Sequence, residues 1–73
     1  MEVLFNRISF YRRLHRLSQT DLGKICGVSR NTVSAWELNT FNPSLDAAFR
    51  LSRFFNVSIH QLFYFQERMS LDD

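Results

Sequence analysis

Cysteine is nearly absent. The 73-residue chain holds one, Cys26, which excludes an internal disulfide and a multi-thiolate zinc cluster. Glycine and proline are scarce, at two and one, too few for the turns of a β-sandwich. No apolar run approaches the roughly 18 residues of a membrane span. The opening Met1-Glu2-Val3-Leu4-Phe5-Asn6 lacks the basic start and apolar stretch of a signal peptide. These absences lead to the expectation of a reduced, cytoplasmic domain with no membrane partner. At this length one small domain is expected, without the deep cleft of a large enzyme. His15 and His60 stand 45 residues apart in the chain with no ligand spacing around them, so no metal site is expected. No cofactor, small-molecule ligand or Ser-His-Asp triad is evident either.

What the chain does have is apolar mass and arginine. Hydrophobic residues make up 45% and charged residues 22%, a globular ratio. Eight residues are Phe, a large supply for a domain near the lower size limit of stability. The net charge is only +2, but it is uneven. Residues 1–36 carry Arg7, Arg12, Arg13, Arg16, Lys24 and Arg30 against Glu2 and Asp21, whereas residues 37–73 are net acidic. Arg suits bidentate contact with phosphate and guanine. A basic half is suited to a polyanion, although a solvated helix face has the same composition.

Helix-start signals recur at short intervals. Asn6 precedes Arg7–Leu17, where Ile8, Tyr11, Leu14 and Leu17 keep helical spacing. Ser18 with Asp21 three positions on reads as a capping box, and Gly27 stops that second helix. Ser29 caps a third, Arg30–Leu38, with Val33 and Trp36 inward and Asn39 as a left-handed stop. Ser44 starts a fourth, with Leu45, Ala48, Leu51 and Phe55 inward and Asn56 at its end. Ser58 caps a fifth from Ile59. Two apolar ends remain, Glu2-Val3-Leu4-Phe5 and Phe63-Tyr64-Phe65-Gln66. Either they pair as an antiparallel ribbon, the favoured reading, or the fifth helix continues through Glu67. Residues 69–73 are expected to be a flexible tail, leaving 1–68 as the domain.

The informative stretch runs from Leu17 to Glu37. It reads as two short helices joined by a tight turn. Leu22 and Cys26 face inward, Val28 plugs the turn, and Val33 and Trp36 supply the inward face of the second helix. Gly23 lets the third helix cross closely over the second. This is helix-turn-helix geometry, with the motif at 18–38, and its second helix is the one that enters a DNA major groove.

Arg12, Ser18-Gln19, Leu22-Gly23, Gly27-Val28-Ser29, Val33, Trp36-Glu37, Pro43-Ser44-Leu45, Ala48, Leu51, Phe55, Val57-Ser58 and Leu62 together resemble the lambda-repressor/Cro-like helix-turn-helix proteins, the XRE family. The resemblance spans residues 6–63. It implies an all-α, five-helix DNA-binding domain. The Phe-x-Phe stretch after the fifth helix is similar to that of short stand-alone repressors of the cytolysin-repressor type, which implies paired chain termini and a homodimer. The sequence departs from the family at Arg16 and Asn39, where glycine is preferred, and at Gly23, where alanine is usual. Alanine's higher helix propensity makes Gly23 an expected cost of somewhat under 1 kcal/mol.

The resemblance also implies roles. The partner is double-stranded DNA, bound by a transcriptional regulator, with repression of a pseudo-palindromic operator as the expected function. An antitoxin-like or adaptor module, with protein as its main partner, is the other reading. Arg30 and Asn31 are candidate base readers, since Arg matches guanine O6 and N7 and Asn matches adenine N6 and N7. Ser34 and Ala35, one turn on, are candidates for base contact too, Ala35 offering a methyl to thymine or simply clearance. Gln19, Thr40 and Asn42 are candidates for the DNA backbone. Ser29 and Thr32 either donate to phosphate or only cap. Phe41 either shields the core or stacks on a sugar. Arg12 and Glu37 are expected to form a partly buried ion pair that fixes the recognition helix. Ile59 and Phe63 are the expected dimer anchors.

Overall fold

Four of the five helices start on a serine whose hydroxyl accepts a backbone N–H three residues on. Ser18 accepts from Asp21, Ser29 from Thr32, Ser44 from Ala47 and Ser58 from Gln61. Each satisfies one of the donors a helix start leaves orphaned. Asp21 and Gln61 reciprocate with their own side chains, closing two capping boxes. The computed structural model describes residues 1–68, in the order β1 (Glu2–Asn6), α1 (Ile8–Leu14), α2 (Gln19–Cys26), α3 (Arg30–Glu37), α4 (Leu45–Phe55), α5 (Ile59–Leu62) and β2 (Phe63–Glu67). The flexible tail expected at 69–73 lies outside the described residues.

α1 is shorter than the apolar spacing suggests. It ends at Leu14 because Arg16 turns into the left-handed region, φ 56°. Asn6 rather than the adjoining Arg7 serves its start: Asn6 Oδ1 accepts from the Ile8 N–H at 3.0 Å, and Nδ2 donates to the Trp36 carbonyl at 3.0 Å. One side chain thus ties β1 and α1 to α3. The other helix exits are Gly27, Asn39 and Asn56, all at positive φ, where Gly and Asn tolerate the left-handed turn best.

The core joins Ile8 of α1, Leu22 and Cys26 of α2, Val33 and Trp36 of α3, Ala47, Leu51 and Phe55 of α4, and Leu62 of α5. One expected inward residue, Leu45, is not there: it is 74% exposed, and Leu14 on the α1 spacing is 63% exposed. In α1, Arg12 turns toward α3 instead. In α4, Ala47, Ala48, Leu51 and Phe55 form the buried stripe, and Leu45 falls to its flank. Phe41 is half-exposed and does not shield the core.

The termini pair. β1 and β2 form a two-stranded antiparallel ribbon, with Leu4 opposite Phe65 and Phe5 opposite Tyr64. α5 therefore stops at Leu62, and Phe63 takes extended backbone. The Phe5 and Tyr64 rings stack at 5.9 Å, and the Arg7 guanidinium lies 4.1 Å above the Tyr64 ring. Gly23 has a stronger reason than helix crossing. A Cβ there would stand 2.6 Å from the Val28 carbonyl oxygen. The turn after α2 folds back onto the helix, with the Val28 N–H donating to the Gly23 carbonyl at 2.8 Å.

Candidate nucleic-acid interface

α3 is amphipathic at eight residues. Val33 and Trp36 are buried, and the opposite face carries Asn31, Ser34 and Ala35 at helical spacing. Arg30 and Asn31 are exposed, and Ser34 and Ala35 are half-buried. Among the described residues, neither the Arg30 nor the Asn31 side chain hydrogen-bonds within the protein, so both are available to a ligand. Ser29 and Thr32 are engaged with each other: their hydroxyls lie 3.0 Å apart, and Ser29 Oγ also accepts the Thr32 N–H. Leu38, seven residues after Asn31 and 75% exposed, continues the outward stripe. Leu38 was expected only as the helix end, though its spacing from Asn31 and Ser34 carries the signal.

The end of α3 is held by Glu37. Arg12 Nε donates to Glu37 Oε2 at 2.6 Å, and Arg12 Nη2 donates to Oε1 at 3.0 Å. Gln19 Nε2 donates to the same Oε1 at 3.1 Å. Arg12 Nη1 donates to the Leu17 carbonyl at 2.8 Å. One carboxylate thus gathers α1, the start of α2 and the end of α3. The Arg12 and Glu37 side chains retain only 11% and 8% of their exposure. Burial pushes the Glu37 carboxyl up, but hydrogen bonds from Arg12 and Gln19 and the Arg12 charge together bring it below its ordinary value. The Glu37 hydrogen bond raises the Arg12 guanidinium in turn. Desolvation cancels much of such a pair's attraction, so its main effect is orientation. With one amide N–H on Glu37, Gln19 keeps the other at the α2 start.

Thr40 and Asn42 are both exposed in the α3–α4 loop. Asn42 also lines an apolar groove of about 410 Å³ between α4, α5 and the ribbon. Ile59 and Phe63 lie in that groove, joined by Leu4, Leu45, Ala48 and Phe49. Leu45 and Phe49, four apart on α4, are 74% and 53% exposed. Phe65 stands opposite Leu4 and so shares its face of the ribbon. Ile59 and Phe63, the expected dimer anchors, share this groove with Leu4, Leu45 and Phe49, which the sequence did not single out as anchors. The four-residue spacing of the last two was the available signal.

Cys26 is buried, and burial pushes its thiol up, away from reactivity. Among the described residues no cluster of three or more His, Cys, Asp or Glu could hold a metal, and no helix is long and apolar enough to cross a membrane.

Residues 8–62 match the helix-turn-helix family. An uncharacterized HTH-type transcriptional regulator of Methanocaldococcus jannaschii is 44% identical over 62 residues, which cover 85% of this chain and 94% of that protein. Another, from Bacillus subtilis, is 32% identical over 62 residues, covering 85% and 94%. Among solved structures, the P22 c2 repressor in complex with a synthetic operator superposes with a TM-score of 0.69 at 32% identity, over 73% of this chain and 80% of that one. A candidate DNA-binding protein from Bacteroides fragilis superposes with a TM-score of 0.76 at 31% identity, over 85% and 100%. With its five helices, its terminal ribbon and its part-buried Glu37 hub, the chain belongs to the lambda-repressor/Cro-like, XRE-type helix-turn-helix family of DNA-binding transcriptional regulators.

Proposed function

We propose that the protein is a sequence-specific repressor that binds a pseudo-palindromic operator as a homodimer, with α3 in the major groove. The observation that carries this reading is the Glu37 hub. It leaves Arg30 and Asn31 uncommitted at one end of α3 while fixing the other end against α1 and α2. Arg30 and Asn31 read base edges, and Ser34, Ala35 and Leu38 meet the groove with small or apolar surface. Gln19, Ser29, Thr32, Thr40 and Asn42 serve the DNA backbone, which positions without specifying. Residues 1–68 act as one DNA-binding unit in the cytoplasm, by binding and not by catalysis.

Size and the groove support the dimer. A single module buries only roughly 600–1,000 Å² on DNA, and two-fold pairing doubles it. An apolar groove lined by Leu45, Phe49, Ile59 and Phe63 is suited to a self-complementary contact, with recognition helices roughly 34 Å apart. The P22 c2 repressor's complex with its synthetic operator supports the repressor reading. Sedimentation and gel shift test it together. The wild-type chain is expected to sediment as a dimer at high micromolar concentration. Ile59→Asp is expected to sediment as a folded monomer that binds palindromic DNA about 100-fold more weakly. A wild-type monomer under those conditions would contradict the reading.

A further inference from the structure

The apolar residues left outside the core fall on two separate surfaces. One is the groove around Ile59 and Phe63. The other joins α1 to the C-terminal end of α4, and neither the groove nor α3 contributes to it. Phe10 meets Tyr11 edge-on at 5.1 Å between ring centroids, Tyr11 lies 5.8 Å from Phe55, Phe55 lies 5.1 Å from His15, and His15 lies 6.0 Å from Phe54. Phe10, Leu14 and Phe54 are 59%, 63% and 41% exposed along this row. Exposed apolar side chains grouped on one surface are suited to contact with a partner.

The charge beside the row has one sign. α1 contains no acidic residue, and Asp46 is the one acid of α4. Asp46 is paired with Arg50. Arg53, next to Phe54, and Arg16, two residues beyond Leu14, have no carboxylate within ion-pair distance among the described residues. A second copy of this surface would set arginine against arginine, a like-charge contact that disfavours self-association. We propose that the α1–α4 surface around Phe10, Leu14 and Phe54 docks an amphipathic helical segment of a partner protein, apolar along one stripe and acidic beside it. The apolar stripe covers the exposed rings, and the carboxylates meet Arg16 and Arg53. The partner thereby acts on the regulator away from the DNA-reading face, and the proposal stands whether or not the groove makes a dimer.

The probe is a synthetic helical peptide with Leu at i, i+3, i+4 and i+7 and Glu at its other positions, titrated into the isotope-labelled full chain. A peptide with Lys in place of Glu is the comparator. Amide shifts are expected to concentrate at Phe10–His15 and Arg53–Phe55, with the Lys peptide bound about tenfold more weakly or worse. Leu14→Ser and Phe54→Ser change exposed side chains, and circular dichroism checks that they fold. Each is expected to weaken the Glu peptide about fivefold or more while leaving DNA affinity unchanged. Equal binding of the two peptides overturns the proposal, as does no binding at all. So do shifts centred on Leu45 and Phe49, a Phe54→Ser variant that loses self-association, and displacement of the peptide by phosphatidylserine vesicles.

Discussion

Glu37 is the residue on which the recognition helix depends. It accepts two N–H groups from Arg12 and one from Gln19 while nearly buried. Removing it leaves the part-buried Arg12 guanidinium without its counter-charge. Breaking a fully buried pair costs about 3–5 kcal/mol, so Glu37→Gln, which keeps some hydrogen bonding, is expected to lose about 2–3 kcal/mol in urea unfolding at neutral pH. Arg12→Met combined with Glu37→Leu is expected to recover much of that loss without restoring DNA affinity. Strictly additive losses would mean that the two side chains do not couple. Acid behaviour follows from the same group. The folded carboxyl titrates below its ordinary value, so its stabilisation is present above the unfolded value of about 4.3 and is lost as pH falls through the folded one. Asp21, lowered by the Ser18 backbone N–H, has the same sign and persists in the variant. The wild-type urea midpoint is therefore expected to fall more steeply below about pH 4.3 than that of Glu37→Gln.

Among the elements, the turns decide more than the helices. Gly23→Ala should gain helix propensity of about 1 kcal/mol, yet its Cβ meets the Val28 carbonyl, a backbone atom that cannot step aside. Overpacking of this kind costs about 1–3 kcal/mol, and thermal unfolding is expected to show a net loss. Arg16→Gly has the opposite expectation. Arg16 sits at φ 56°, and glycine there is expected to stabilise by about 1 kcal/mol. The serine caps, the left-handed exits and the buried faces of α2 and α3 were legible in the sequence because each is a local rule with a local residue. Leu45 misled because helical spacing defines a stripe without saying which neighbouring stripe meets the core. Arg12 of α1 turns to a partner 25 residues away, a pairing that the family resemblance implied and local spacing could not. The ribbon stayed a choice between strand and helix until its register was known, since β1 and β2 come from opposite ends of the chain. Gly23 read as a close helix crossing and a propensity loss, and its true constraint was hidden for the same reason: the atom it must avoid, the Val28 carbonyl oxygen, lies across a turn.

For the whole molecule, three surfaces point in three functional directions: the outward face of α3, the groove at Ile59 and Phe63, and the aromatic row of α1 and α4. The family and its helix-turn-helix were legible because the motif is contiguous from Leu17 to Glu37. The two apolar surfaces were not separable in sequence, because Phe10, Leu14, Phe54, Phe63 and Phe65 sort only once α4 and the ribbon are in place. The central claim is that α3 reads bases from its N-terminal end in a two-fold assembly. Selection of bound duplexes from a random pool, run in parallel on the wild-type chain and Arg30→Ala, tests it most directly. The wild type is expected to enrich two inverted half-sites centred about 10–10.5 base pairs apart. Arg30→Ala is expected to bind the best site about 1–3 kcal/mol more weakly and to relax one symmetric position per half-site. An unpaired or unspaced wild-type motif, or an Arg30→Ala preference identical at every position, would contradict it.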